Sequence, residues 1–114
     1  MCSPVVHAQS SAKKFGGKFQ DYLDINLFID ESKLHFADWR HRAITHSTFF
    51  VGVCEKVFGA YITNSDGNIV PVRVICEQHI REDCDGRIPT IKDWLVAISE
   101  NKQEKWMNGP NCKL

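Results

Sequence analysis

The chain has 114 residues, of which 43% are hydrophobic and 25% charged, and its 14 basic and 14 acidic residues cancel to a formal net charge of zero. This length predicts one domain with a substantial core and leaves no room for two. A neutral chain has no general attraction for nucleic acid or an anionic membrane, so any affinity for an anion must be local. No apolar run approaches the roughly 20 residues of a membrane-spanning helix, and the N-terminal segment lacks the apolar stretch of a secretory signal.

The cysteine pattern favours a reducing, cytoplasmic environment. The chain has five cysteines, an odd number, and no two of them have C-x-x-C spacing. We therefore expect neither a disulfide framework nor a zinc-finger type of site. Cys54 and Cys76 lie within apolar patterns and are predicted to be small core residues. The others are Cys2, Cys84 and Cys112.

The first predicted helix covers residues 4 to 14. Ser3 is a suitable N-cap, Pro4 suits the first helical position, and a glycine pair follows the helix at 16–17. The i, i+3, i+4, i+7 spacing places four polar side chains on one face of this helix: His7, Ser10, Ser11 and Lys14. The amphipathic segment 19–32 then predicts one or two short helical turns.

Residues 35–58 predict one long central helix that is apolar on most sides. At about 100° per residue, four ionisable side chains fall within roughly 80° of each other on this helix: His35, Asp38, Arg42 and His46. An ionisable patch on a core-forming helix is costly unless it is paired or used, which makes it a functional lead. His35 and His46 would lie about 16 Å apart along the axis, too far to share one metal ion. His41 points elsewhere and is predicted to be a surface residue.

The pattern changes to period two after Gly59. Two strand-like runs flank residues 64–67, whose sequence Asn-Ser-Asp-Gly is typical of a hairpin turn. Pro71 confines the second strand to an edge or to a strand end. A helix near 75–84 follows, and another begins with Thr90 as N-cap and Asp93 at the capping-box position.

These elements predict an α+β fold that is mainly α. We expect a compact helical domain with about five helices, one long central helix and a β-hairpin near 60–73. Residues 1–99 form the predicted globular domain, and residues 100–114 form a polar C-terminal tail that is loosely held or docked through Trp106.

The helix near 75–84 carries a second cluster of ionisable residues. His79 lies three residues before Glu82 and four before Asp83, so an imidazole and a carboxylate share one face. They could hold one divalent ion, or a carboxylate could orient the imidazole, or the face could simply be solvated. The candidate metal ligands are His35, His79, Glu82 and Asp83.

Five segments, in this order, resemble a family of small uncharacterised bacterial and phage proteins that is known as a domain of unknown function. They are HAQSSAKKFGG, DESKLHFADWRHRA, FG-x-x-ITNSDG-x-x-VPVR, EQHIRED and GRIPTIKDWL. The resemblance covers roughly residues 7 to 98 and implies no established activity. The positions that match its motifs include His7, Lys14, Asp38, Arg42, Arg73, Glu77, Gln78, His79 and Asp83.

A shorter resemblance lies within the predicted long helix. HRAITHS, residues 41–47, is similar to the H-R-x-x-T-H-S signature of membrane-bound metal-dependent hydrolases. The chain lacks the transmembrane helices of those enzymes and their upstream segment rich in His and Asp. It also lacks the His-Asp dipeptide of HD phosphohydrolases.

Three functional interpretations remain open. The first is a pocket for an anionic, phosphorylated or nucleotide-like small molecule, as in a phage-type sequestering protein, lined by His7, Lys14, Asp38, Arg42, His46, Arg73, Glu77 and His79. The second is a metal-dependent phosphohydrolase with a divalent ion as cofactor. The third is a structural or protein-interaction domain. No motif of a Ser or Cys nucleophile or of nucleic-acid binding occurs, and a homodimer could build the pocket at its interface.

Overall fold

The computed structural model describes residues 3–36, 38–101 and 104–107. In this part of the chain six α-helices and one pair of strands follow in the order α1 (Pro4–Phe15), α2 (Gln20–Asp30), α3 (Arg42–Thr45), α4 (Thr48–Phe58), β1 (Tyr61–Thr63), β2 (Ile69–Pro71), α5 (Val72–Asp83) and α6 (Ile91–Ser99). Short 3-10 turns cover Glu31–Leu34, Trp39–His41 and Lys105–Met107. The predicted fold class, α+β and mainly α with a β-hairpin, is confirmed.

The helix ends follow from local side-chain chemistry. The Ser3 hydroxyl accepts a hydrogen bond from the Val6 amide at 3.3 Å and caps α1. At the start of α6, Thr90 and Asp93 form the predicted capping box, in which each side chain accepts from the other's backbone amide. Pro71 ends β2 and directly precedes α5, as the absence of its amide hydrogen leads one to expect.

The prediction of a single long helix over residues 35–58 is wrong. The chain instead passes through the 3-10 turn Trp39–His41, the four-residue helix α3 and the separate helix α4. Helical-wheel positions calculated across the whole segment therefore do not hold, and the four ionisable side chains do not share one face.

One local and one long-range interaction break the predicted helix. The Asp38 carboxylate accepts a hydrogen bond from the Arg40 amide at 2.9 Å and starts a new turn. After α3, His46 leaves the helical conformation with φ −105° and ψ 63°. The amide of Thr48 then donates to the carbonyl of Pro89 at 3.0 Å, which anchors the start of α4 to the loop before α6.

The core lies where α1, α2, α4 and α5 meet. α1 packs along α2, and α4 packs along α5. Buried apolar side chains from all four helices fill this core, among them Ala8, Tyr22, Ile25, Ile29, Val51, Cys54, Ile75, Cys76 and Ile80. The prediction that Cys54 and Cys76 are core residues is confirmed. Within the described residues, no helix combines the length and the apolar character needed to cross a membrane.

The hairpin turn is attached to the loop between α1 and α2. The amide of Gly17 donates to Oδ2 of Asp66 at 2.8 Å, and the Asn64 side chain donates to the carbonyl of Phe15 at 3.1 Å. Gly17 has φ +75°, and a Cβ atom there would lie 2.5 Å from Oδ2 of Asp21. The glycine pair thus allows both the positive φ and the close approach of the turn.

The described part of the predicted tail packs against α6. The indole of Trp106 meets that of buried Trp94 edge-on, with ring centroids 5.0 Å apart, and Met107 is fully buried. The Arg42 guanidinium donates a hydrogen bond to the carbonyl of Met107. The predicted division into residues 1–99 and 100–114 remains a prediction, and Cys2 and Cys112 lie outside the described residues.

Candidate metal centre

Two histidines and two aspartates from three segments converge on one point. Asp30 ends α2, His46 occupies the junction between α3 and α4, and His79 and Asp83 lie one turn apart on α5. One nitrogen or oxygen atom from each side chain lies within 4.8 Å of the others. The indole of Trp94 donates to the carbonyl of His46 at 2.8 Å, so α6 helps to fix the junction. The fold therefore assembles a set of nitrogen and oxygen ligands that suits a metal ion.

The spacing of these atoms matches a single ion. Oδ2 of Asp83 is 2.8 Å from Nε2 of His46 and 3.3 Å from Nε2 of His79. Oδ1 of Asp30 is 3.1 Å from Nε2 of His79 and 3.7 Å from Nε2 of His46. Tetrahedral ligands with bonds of 2.0–2.1 Å lie about 3.3 Å from each other. The four separations range from 2.8 to 3.7 Å and so bracket that value.

The hydrogen bonds of His79 leave its Nε2 atom available as a ligand. The side-chain nitrogen of Asn26 donates a hydrogen bond to the carbonyl of Tyr22 at 2.8 Å. This fixes the orientation of the Asn26 amide, so its Oδ1 atom faces His79 as an acceptor. Nδ1 of His79 donates to that oxygen at 2.7 Å. In the neutral imidazole the lone pair then resides on Nε2, which faces Asp30 and Asp83.

A chain of hydroxyl groups orients His46 in the same way. Ser32 donates to the carbonyl of His41 at 3.0 Å, so its oxygen accepts from the Thr45 hydroxyl at 3.2 Å. The Thr45 oxygen in turn accepts from Nδ1 of His46 at 2.9 Å. Nε2 of neutral His46 therefore also presents its lone pair to the two aspartates, as a metal-binding histidine does.

His7 lies beside this centre and bridges two carboxylates. Its Nε2 atom donates to Oδ1 of Asp83 at 3.1 Å, and its Nδ1 atom donates to Oε1 of Glu82 at 2.7 Å. Burial alone lowers the pKa of His7, but the hydrogen bonds with both carboxylates outweigh it and raise the pKa to about 9. The imidazolium ring stacks on His79 with centroids 3.7 Å apart.

The charges of the cluster fit a divalent cation. Burial raises the pKa of Asp83, but its three imidazole partners, His46, His7 and His79, hold that pKa far below its ordinary value, and the pKa values of Asp30 and Glu82 are also lowered. Burial lowers the pKa of His46 to about 4. When the rings of His46 and His79 are neutral, as metal binding requires, three carboxylates and one imidazolium leave two negative charges. One divalent ion balances them in a place where unpaired charge is costly.

Several predicted site residues meet in this network. His79 and Asp83 were predicted as metal ligands, and both lie at the centre, where His46 joins them. Glu82, also predicted as a ligand, points the other way and holds His7. His7 itself contacts Asp83 but lies outside the group of four.

Three residues of the predicted long helix do not reach the centre, because that helix is broken. His35, predicted as a metal ligand, is exposed. Asp38 is exposed and forms an ion pair with Arg40 at 2.6 Å. Arg42 is buried, but its guanidinium points to the Met107 carbonyl.

Three other predicted ligand contacts also lie away from the centre. The Arg73 side chain is 58% exposed and lies 3.9 Å from Glu55. Lys14 and Glu77 line an outer groove between α1 and α5. The structure thus separates these residues from His46 and His79, which the predicted anion pocket had placed with them.

The burial of two neighbouring residues also differs from the prediction. His41, predicted at the surface, is fully buried, and its Nδ1 atom donates to the Asp38 carbonyl at 2.7 Å. Phe49, an apolar residue of the predicted central helix, is 62% exposed. Both differences follow from the breaks in the predicted helix.

Sequence reasoning missed four residues of the site. Asp30, Asn26 and Ser32 lie in the segment 19–32, which predicts only short helical turns, and Thr45 lies within the predicted long helix without an assigned role. Asp30 and Asn26 contact His79, which lies 49 and 53 positions away in the sequence. Thr45 contacts the adjacent His46, and its other partner, Ser32, lies 13 positions away. The local sequence signal is an acidic residue, Asp30, at the end of a helix that also carries a polar residue, Asn26, among its apolar positions. Many helices have both features.

Comparison with known proteins gives a family and no activity. No curated protein and no solved structure matches the chain. The family described as "Domain of unknown function (DUF6915)" matches residues 2–107. The chain therefore belongs to this family, which confirms the membership of a domain family of unknown function that its motifs indicated.

Proposed function

We propose that this chain is a divalent-metal-binding domain and that Asp30, His46, His79 and Asp83 are its ligands. One observation carries the proposal. The Nδ1 hydrogens of both histidines are committed to Asn26 and Thr45, so both Nε2 lone pairs face the two carboxylates. A cation between them turns a repulsive arrangement into an attractive one.

The proposed ion has a structural role. The side chains of His46, His79 and Asp83 are 0% exposed and that of Asp30 is 9% exposed, so the ligand set is closed to solvent. Closed sites with four protein ligands are typical of structural metals, whereas catalytic sites keep a position open. The ion would join α2, the α3–α4 junction and α5, and its binding energy would contribute to folding.

Metal analysis of protein purified without a histidine tag tests the proposal. We expect one equivalent of a divalent transition metal in the wild type and its loss in His79→Ala and Asp30→Asn. His35→Ala is the matched control, because His35 was a predicted ligand that the structure leaves exposed. The proposal fails if the wild type neither contains metal nor binds added zinc.

The groove between α1 and α5 favours a second function, the binding of a small anionic molecule. Its volume of 440 Å³ lies within the usual range for ligand pockets, and Phe15 and Val74 give it an apolar surface. Lys14 and Arg81 line the groove with no ion pair among the described residues. Glu77 lines it too and would accept hydrogen bonds from hydroxyl or amino groups of the ligand.

Titration with nucleotides and sugar phosphates tests this second function. Lys14→Ala and Arg81→Ala should abolish any binding, whereas Arg73→Ala, on another exposed position of α5, should not. A sequestering protein releases its ligand chemically unchanged, whereas an enzyme would convert the ligand to a product. Phosphohydrolase activity remains a prediction, and it would require one ligand of the closed centre to give way to water.

A further inference from the structure

We infer that His7 is a positioning residue that limits Asp83 to one metal-binding oxygen and so selects a four-coordinate ion. The inference rests on the proposed metal-binding function. His7 donates to Oδ1 of Asp83 at 3.1 Å. Oδ2 of the same carboxylate faces His46 and His79. Oδ1 of Asp83 therefore accepts the hydrogen bond from His7, and only Oδ2 is left to bind the metal ion.

His7 is held firmly enough to enforce this division. Its ring is fully buried and stacks on His79. On its other side, Glu82 accepts from Nδ1 of His7 and also from the hydroxyl of Ser10 at 2.5 Å and the side-chain amide of Gln78 at 2.7 Å. A residue anchored at both ring nitrogens cannot turn away to release Oδ1.

The number of oxygens that Asp83 offers affects which ion fits. Calcium takes six to eight oxygen ligands and often binds carboxylates through both oxygens, and magnesium requires octahedral geometry. Two imidazole nitrogens and two single carboxylate oxygens instead suit tetrahedral zinc or cobalt(II). By holding Oδ1, His7 keeps the donor count at four and disfavours the harder ions.

The test compares His7→Ala with His7→Gln. Alanine removes the donor and frees Oδ1, whereas the side-chain nitrogen of glutamine can replace Nε2 and restore the hydrogen bond. His35→Ala is the control, because it removes an exposed histidine. The readouts are the visible absorption of the cobalt(II) protein, which is intense for four-coordinate and weak for six-coordinate cobalt, and the ratio of zinc to manganese affinity.

We expect an intense cobalt spectrum in the wild type, in His35→Ala and in His7→Gln. In His7→Ala the spectrum should weaken, the zinc affinity should fall by about 10–100-fold, and the preference for zinc over manganese should shrink. If His7→Ala binds cobalt with the wild-type spectrum and the wild-type preference, the inference is overturned and metal binding stands.

Two further outcomes are also decisive. If the wild type binds neither zinc nor cobalt, the proposed function fails, and the inference fails with it. If His7→Ala does not fold, Glu82→Gln provides the measurement, because it weakens the outer anchor of His7 and leaves the four ligands in place. An altered cobalt spectrum in Glu82→Gln supports the positioning role, and an unaltered spectrum overturns it.

Discussion

Nε2 of His79 lies 3.3 Å from Oδ2 of Asp83, one helical turn further along α5. This pair presents one nitrogen and one oxygen to the same point, and His46 and Asp30 complete the set from two other segments. The proposed metal ion between these four atoms would hold α5 against α2 and against the α3–α4 junction. The following predictions test that dependence and the local features of the fold that surround it.

Removing the metal should lower the thermal stability of the protein. A ligand present at 100 times its dissociation constant stabilises the folded state by about 2.7 kcal/mol, and for a domain of this size that is a melting-temperature difference of roughly 10 °C. Differential scanning fluorimetry with excess zinc and with a chelator measures it. Asp30→Asn should melt at the same temperature under both conditions, and a wild type that also does so would contradict the prediction.

Gly17→Ala should destabilise the fold by about 1–3 kcal/mol. Gly17 has a positive φ, and the new Cβ would lie 2.9 Å from Cβ of Asn64 in the hairpin turn and 2.5 Å from Oδ2 of Asp21, so it would push the turn off the α1–α2 loop. Urea denaturation measures the free energy of unfolding.

Gly52→Ala is the matched control for Gly17→Ala. Gly52 lies within α4, and a Cβ atom there would meet nothing within 4 Å. Alanine should stabilise the helix at this position by up to about 1 kcal/mol. Equal losses of stability in the two variants would show that steric contact at the hairpin is not the cause.

The buried cysteines should resist thiol reagents in the native protein. Burial raises the pKa of Cys84 to about 12, and a hydrogen bond with Cys54 together with burial raises the pKa of Cys76. In the double variant Cys2→Ser/Cys112→Ser, a disulfide reagent at pH 8 should react only after denaturation. Rapid reaction of the metal-loaded native variant would contradict the described burial.

Chelation should speed that reaction if the metal holds the helices together. Cys84 directly follows the ligand Asp83, and Cys76 lies on the same helix. A helix that opens more often exposes its thiols more often. The reaction rate of the double variant should therefore rise after the chelator is added, and a rate that stays constant would mean that metal binding and opening of α5 are independent.

Arg42→Ala should weaken the attachment of the chain near Met107 without changing metal content. The buried guanidinium donates to the Met107 carbonyl, and it lies outside the group of four ligands. Limited proteolysis should cleave the variant earlier than the wild type within residues 99–107. Loss of metal in a folded Arg42→Ala protein would instead assign Arg42 to the centre.

Features that depend on neighbours in the sequence could be predicted. Ser3, Thr90 and Pro71 act within a few residues of their own positions, and the hairpin turn is encoded in four consecutive residues. The pairing of His79 with Asp83 was equally accessible, because i, i+4 spacing places both on one helical face.

The rest of the site depends on contacts between distant residues. The break after α3 is stabilised by the hydrogen bond from the Thr48 amide to the carbonyl of Pro89, which lies 41 positions further along the chain. In a continuous helix the His46 side chain would point in another direction. Asp30 becomes a candidate ligand only because α2 packs against α5. Neither contact leaves a periodic signal in the chain, so a continuous helix and a different set of ligands were the natural prediction.

X-ray absorption at the zinc edge of the zinc-loaded protein tests the central claim most directly. The account predicts a four-coordinate ion with two imidazole and two oxygen ligands at about 2.0–2.1 Å in the wild type. One imidazole should disappear from the spectrum of His79→Ala, and His35→Ala should match the wild type. A six-coordinate ion surrounded by water, or a spectrum without imidazole scattering, would contradict it.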